Sequence, residues 1–509
     1  MLGIQLRLVV AAVLLALLPA MGHAQDALKP LGMKPTAPEE LGRVPDHFFW
    51  IRPDLQAAQD PLDGQIVFFN DQGHVVGRAT LPPSFTIGEM SADPGEIRLL
   101  DPDKHRQVSI ARNIDPAAVQ SLQAVQIAGA ERSLDVTRRS ADVLVLQDNR
   151  RSGARSIEVR SLTGSTLAQA YDIGTDSAGN RFVVSEEIAG VTPGLKVRVF
   201  VRRYDRNGAL TGIVNVPLDG IEVVPHDFIS VTSDGRARVL LPTENGVKIR
   251  EIDFSPPIRS RSGAPPTNLG KTVREIQVDT ALPKATPRSR DFHQGPRSFD
   301  VRTAAPAIER DQIVKNAQAY LTVNWIMGRE NFAKPGIENQ CDPADAKFWL
   351  RPRHFTQASI GKTIGPMPYR WGGSDTPKTF KARIEGGALA GSICTCRSPE
   401  LDYCLVSEAA GVDCSGLISG AWGIPKRGTS GLLDVATELS SLDDLRAGDA
   451  FDWPGHHVRL LEATAPGPEL TYIVIESSTR SDCEGVCEHA YRPSELNGYR
   501  LIRYRGVSQ

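Results

Sequence analysis

Residues 411–417 read GVDCSGL, and Cys414 leads into Leu417, Ile418, Ala421 and Trp422 at helical spacing before Gly423 and Pro425 stop the element. A cysteine at a helix start meets unpaired backbone N–H groups and the positive end of the dipole, which favour a thiolate. Gly416, without a Cβ, lets that helix pack closely on another element. A nucleophile in this setting needs a base. The candidate lies in LRAGDAFDWPGHHVRLLEATAPGPELTYIVIESS (445–478), which reads as strand, turn, strand, turn, strand. A type II turn centred on Pro466-Gly467 sets Ala465 against Pro468 and, further along the ladder, His457 against Glu476. Cross-strand neighbours have Cβ atoms roughly 4.5–5.5 Å apart. The carboxylate would then hold the imidazole while the other ring nitrogen serves Cys414. Other readings stay open: Cys, His and Glu in one domain are common, a one-residue slip turns His457 away from Glu476, and His456 competes with His457 as the base.

Cysteine usage supports a free Cys414. The chain has seven cysteines, Cys341, Cys394, Cys396, Cys404, Cys414, Cys483 and Cys487, all in the C-terminal third, and an odd count leaves one unpaired unless it bridges to another molecule. Cys483 and Cys487 are near enough to bridge locally, and the four before Cys414 suffice for two more bridges. Cys394-Thr-Cys396 lacks the two intervening residues of a redox pair. The spacing is also not that of a structural zinc site, so neither a metal nor a cofactor is expected.

In chain order, PYRWGG (368–373), VDCSGL (412–417), LRAGD (445–449) and HHVRLL (456–461) resemble the motifs of NlpC-type cysteine peptidases, the papain-like bacterial cell-wall hydrolases. The resemblance covers roughly 307–505 and implies an α+β papain-like fold. It implies Cys414 as nucleophile, His457 as general base and Glu476 at the third polar position. It further implies Tyr369 near the oxyanion, and Asp413 and Ser415 where related endopeptidases recognise the free amine of a stem peptide. Arg459 stands where the family carries a small or apolar residue and would bring positive charge to the substrate. About forty residues, with Cys394, Cys396 and Cys404, are inserted between WGG and VDCSG.

The elements that must position these groups begin with AIERDQIVKNAQAYLTVNWIM, whose Ile313, Ala317, Leu321 and Trp325 share a helical face and whose first turn is acidic. This helix is expected to open a second domain, 307–509. Before it, 256–306 is rich in Pro, Ser, Arg and Gly and reads as a linker or strap. From 44 to 255 short β-type runs alternate with D/N-x-G turns. IVFFNDQGHVVG (66–77) superimposes on VRRYDRNGALTG (201–212) at an offset of 135 residues, or three units of 45. SADPGEIRLL, TDSAGNRFVV and VTSDGRARVL repeat a turn glycine before an apolar strand. Such repeats point to an all-β domain, a β-propeller of five or six blades, with a β-sandwich pair as the alternative. His47, His74, His105 and His226 lack ligand spacing and read as surface or core residues.

The first 24 residues carry Arg7, an apolar run from Leu8 to Leu18 and a small-residue site ending at Ala24, the pattern of a secretory signal peptide. The run is too short for the roughly 20 residues of a membrane span, and no later run matches it. An exported chain, periplasmic or extracellular, with no membrane span after cleavage is therefore expected. The formal net charge of −2 becomes −3 without Arg7, which gives no reason to expect a nucleic-acid partner. Together these readings point to an exported thiol amidase or endopeptidase acting on peptidoglycan stem peptides, with a glycan or protein ligand for the propeller. Two alternatives are an acyltransferase of the same mechanism and a propeller-based binding protein with an inactive peptidase-like domain.

Overall fold

The computed structural model describes residues 31–33, 47–60, 64–71, 74–83, 85–101, 104–127, 134–147, 156–216, 218, 221, 224–243, 246–252, 254, 307–332, 351–393, 406–480 and 483–508. The leader, the whole 256–306 segment read as a linker or strap, Cys341, Cys394, Cys396 and Cys404 lie outside them. The described chain is mostly β.

Its N-terminal half builds successive antiparallel sheets in chain order. The first holds β2 (Phe48–Arg52), β3 (Leu55–Asp60), β4 (Gln65–Asn70) and β5 (Val75–Thr80). The second holds β6 (Glu89–Ala92), β7 (Glu96–Asp101), β8 (Arg106–Ala111) and β9 (Ala124–Gln126). The third has three strands, β10 (Asp135–Ser140), β11 (Val143–Gln147) and β12 (Ile157–Arg160). The fourth holds β13 (Thr166–Thr175), β14 (Arg181–Gly190), β15 (Lys196–Tyr204) and β16 (Leu210–Val216). The fifth joins β17 (Ile229–Val231), β18 (Ala237–Thr243) and β19 (Gly246–Ile252) to β1 (Leu31–Met33), which pairs with β19. A strand ahead of residue 44 thus completes the last sheet.

The sequence repeats fall on equivalent positions. IVFFNDQGHVVG is the β4–β5 hairpin and VRRYDRNGALTG the β15–β16 hairpin, with Phe69 facing Val75 and Tyr204 facing Leu210 just after a bulge in each. The three turn-glycine segments are the first hairpins of the second, fourth and fifth sheets. Gly179 and Gly235 take positive φ there, as those tight turns require.

The C-terminal half is built on a sheet ordered β20 (Ala436–Glu438), β25 (Arg500–Tyr504), β21 (Ala450–Trp453), β22 (His457–Thr464), β23 (Tyr472–Ser478), β24 (Gly485–Tyr491). Alternation along its strands divides two cores. Val458, Leu460 and Ile475 pack with helices α1 (Arg310–Leu321), α2 (Pro377–Glu385) and α3 (Cys414–Ala421). Leu461, Val474, Tyr472 and Phe451 instead share a core with Val199, Val201, Val214 and Phe228 of the N-terminal sheets. The two halves therefore close over one hydrophobic layer. Helix α1 ends at Leu321, so Trp325 is not on its face; it is buried in a short ladder opposite Ile364, and Tyr320 takes the buried place on the helix.

Candidate active site

Cys414 is the first residue of α3 and is free and buried. Asp413 caps the helix, accepting from Gly416 N–H at 2.6 Å and from the Ser415 hydroxyl at 3.0 Å. The close packing expected at Gly416 is present: a Cβ there would lie 2.2 Å from the carbonyl oxygen of Gly373, in the WGG segment. The backbone N–H groups of Val458 and Ser415 lie near the Cys414 sulfur and favour its anion. Burial, then the charge of Asp413, push the thiol up to about 12, against the pull of Lys426 and those amides. Cys414 is a neutral thiol at pH 7, although its place at the helix start favours the anion.

Val458 follows His457, so the strand that touches the sulfur also carries the candidate base. His457 Nε2 lies 2.6 Å from Glu476 Oε2. Glu476 is fully buried; burial alone would raise its pKa, but Arg459 and then His457 hold it well below the ordinary carboxylate range. An ionised carboxylate only accepts, so the imidazole donates from Nε2 and its neutral form keeps Nδ1 unprotonated. Burial lowers the pKa of His457; the hydrogen bond and charge of Glu476 oppose this, Arg459 and Arg480 reinforce it, and the net shift is downward.

The register that joins these residues differs from the expected one. Strands β22 and β23 pair Leu460 with Ile475 and Leu461 with Val474, and after a bulge Thr464 pairs with Tyr472. Ala465 N–H donates to Thr471 O, so the loop is wider than a two-residue turn on Pro466-Gly467. Continued by one residue, this ladder puts Arg459 opposite Glu476 and leaves His457 diagonal to it. The shift is two residues, which keeps the same face.

Arg459 is correspondingly not directed at a substrate. It is buried, its Nε donates to Glu476 at 3.0 Å, and its guanidinium lies over the rings of Tyr491 at 4.3 Å and Tyr499 at 4.6 Å. Its charge is taken up by Glu476, whose other oxygen accepts from the Tyr491 hydroxyl. Asp413 and Ser415 are engaged internally as well: Lys426 donates to Asp413 and, at 2.8 Å, to Gly373 O. Tyr369 is buried and bridges to Val412, two residues before the nucleophile. His456 packs tilted against Trp453 with ring centroids 4.8 Å apart. It is His457 that meets the carboxylate.

Sequence reasoning missed Lys426, Tyr491 and Tyr499. Lys426 is a dozen residues from Asp413 across a helix end, a spacing without periodic signal, while the tyrosines' β-strand and loop positions offered only generic apolar patterning. The histidines His47 and His226 also come together: His47 Nδ1 is 2.7 Å from Asp227 Oδ2, and His226 Nδ1 is 3.3 Å from Glu495 Oε2. Cys483 and Cys487 form a disulfide. Among the described residues one Cys/His/Glu group, Glu476, Cys487 and His489, has ligand atoms close enough for a metal. Its sulfur is spent in that disulfide and its carboxylate on His457 and Arg459.

No family model matches the chain, and no curated protein matches it. Among solved structures, a member of the DUF4221 family from Bacteroides vulgatus is 9% identical, covering 39% of this chain and 74% of its own, with a TM-score of 0.21. A protein described as exported, from Bacteroides fragilis, is 10% identical over 45% of this chain and 96% of its own, with a TM-score of 0.26. A streptogramin B lyase is 11% identical over 45% and 73%, with a TM-score of 0.20. At such TM-scores these likenesses carry no argument about this chain. Among the described residues no helix is long and apolar enough to cross a membrane.

Proposed function

We propose that the protein is an exported thiol amidase or endopeptidase of the NlpC type, acting on peptidoglycan stem peptides, with its N-terminal sheets arranged as a five-bladed β-propeller. The observation that carries this reading is the free Cys414 at the start of α3, touched by the amide that follows His457, with His457 bonded through Nε2 to an ionised Glu476. The closure of the fifth sheet by β1 supports the propeller, because a strand from the chain start in the last blade shuts a ring.

Chemically, thiol and imidazole both rest neutral, so the proton leaves Cys414 for His457 Nδ1 as the sulfur attacks the amide carbon. The oxyanion forms beside the start of α3, where the N–H of Cys414 and Tyr369, at the place the resemblance implies for it, supply the favourable surroundings. His457 then gives its proton to the departing amine, leaving a thioester. Water, deprotonated by the same nitrogen, releases the acid and restores the thiol. Glu476 stabilises the transient imidazolium without taking its proton.

The test is mass spectrometry of defined stem peptides and whole peptidoglycan after incubation with the mature protein, beside Cys414→Ala and His457→Ala. A cleavage product lost in both variants is expected. Intact substrates with wild-type protein overturn hydrolysis, and a new amide formed only with an added amine identifies acyl transfer instead.

A further inference from the structure

The sheet face that carries His457 and Glu476 is the face that the N-terminal half covers. Within this interface, the loop 191–195 between β14 and β15 forms a short backbone ladder with the loop ahead of β25. Leu195 N–H donates to Tyr499 O at 2.7 Å, Gly498 N–H donates to Leu195 O at 2.7 Å, and Val197 N–H donates to Asn497 Oδ1 at 2.9 Å. The approach is close enough that a Cβ on Gly194 would meet Gly498 O at 2.9 Å. Backbone bonds of this kind fix a position more narrowly than an apolar contact does.

From Tyr499 the contacts run straight to the base. Its ring packs edge-on to Trp453 at 5.5 Å and lies against the Arg459 guanidinium, which also meets the Tyr491 ring. Arg459 Nε and His457 Nε2 then share one oxygen, Oε2 of Glu476. Whatever holds Arg459 in place therefore sets how much of that oxygen's charge His457 receives. The charged and titratable groups facing His457 are Glu476 on the neighbouring strand, Arg459 two residues along its own strand, Arg480 beyond β23, Tyr491 and Tyr499.

We infer that the N-terminal sheets are a positioning part of the catalytic centre, in which loop 191–195 fixes Tyr499, and Tyr499 fixes Arg459 on the carboxylate that His457 uses. The inference rests on the reading of His457 as the base. It assigns the N-terminal half a role in the chemistry of the C-terminal half besides any ligand it binds, and it names Tyr499 and Gly194 as positioning residues that touch no substrate.

The experiment is histidine C2–H deuterium exchange followed by mass spectrometry over a pH series, which reads the pKa of His457 in the full mature chain without a substrate. Tyr499→Leu and Gly194→Val free Arg459 to leave Glu476, so each should raise the His457 pKa by about one unit, the scale of a single neighbouring charge. Tyr499→Phe keeps the ring and should move it by less than half as much. Arg138→Gln removes a contact at the far end of the interface, Arg138 Nε to Pro468 O at 2.6 Å, and should leave it unchanged. An unchanged His457 in Tyr499→Leu overturns the inference, as does a shift in Arg138→Gln equal to the others, which would mean general loosening. Should Gly194→Val fail to fold, the Leu and Phe variants of Tyr499 still decide. Stem-peptide cleavage is scored separately, so an inactive protein with the expected exchange pattern would refute the peptidase reading and leave the positioning intact.

Discussion

Glu476→Gln separates the two tasks of the buried carboxylate. Glutamine matches the shape but removes the charge that His457, Arg459 and Tyr491 share. A hydrogen bond to a charged group contributes about 1.5–3 kcal/mol, and if that stabilisation is felt mainly by the imidazolium, kcat/KM should fall roughly 10- to 150-fold. The pKa of His457, already below its ordinary value, should fall further. Stability suffers separately, because Arg459 is left buried without its counter-charge; breaking such a pair costs about 3–5 kcal/mol, and the flanking tyrosine rings keep the loss near the lower end. Arg459→Met added to Glu476→Gln removes the stranded charge, so the double variant should be more stable than Glu476→Gln alone. The carboxylate's folded-state pKa is depressed, so its stabilisation is present above the unfolded value and is lost as pH falls towards the folded one. Glu476→Gln should therefore show a flatter acid limb. Urea unfolding across pH, with stem-peptide kinetics, measures all of this. A loss below about 1 kcal/mol, or a double variant less stable than Glu476→Gln, would refute the shared-charge account.

Gly416→Ala drives a methyl into the Gly373 carbonyl and should destabilise by about 1–3 kcal/mol through overpacking, read as a lower thermal midpoint. Lys426→Met leaves Asp413 uncompensated beside the thiol, so Cys414 should alkylate roughly tenfold more slowly at pH 8; mapping by mass spectrometry should also show selectivity moving from iodoacetate towards cationic 2-bromoethylamine. Equal reagent ratios in the two proteins would count against a charge effect. Glu186 accepts from Ser494 N–H and hydroxyl at 2.9 and 2.8 Å across the interface, and burial pushes its carboxyl up to about 7. Its contribution to stability is full below its unfolded value and is lost as pH rises through about 7. Glu186→Gln keeps both partners and should be about 3 kcal/mol more stable than wild type at pH 8, with almost no gain at pH 4, in melts at the two values.

Much of the local structure was legible because it is written in short-range physics. The α3 boundaries follow from Asp413, Gly423 and the apolar spacing between them, and the hairpin repeats follow from glycines that tight turns require. The nearness of Cys483 to Cys487 needed only their separation. What stayed hidden depends on pairs distant in the chain. The pairing of β1 with β19 joins residues over 200 positions apart, from three residues with no distinctive pattern. The docking of loop 191–195 on Tyr499 leaves no periodic trace, because backbone donors and acceptors are the same in every residue.

The displaced register explains why a mistaken pairing still brought the right residues together. A strand has a side-chain period of two, so apolar alternation in β22 and β23 decides which residues share a face but not which stand opposite. Burial of Leu461 and Val474 on one side and of Leu460 and Ile475 on the other fixes that parity. Loop length and bulge then select the register together: the wide turn from 466 to 470 moves the ladder by three, and the bulge between Leu461 and Ala463 takes one back, leaving a shift of two that keeps the parity. The consequence is chemical. In the expected register Glu476 would face His457 alone; in the observed one Arg459 stands directly opposite and His457 reaches the same oxygen diagonally. The carboxylate is thereby kept ionised by a permanent cation while its grip on the imidazole is weakened, which holds His457 neutral and ready to accept a proton.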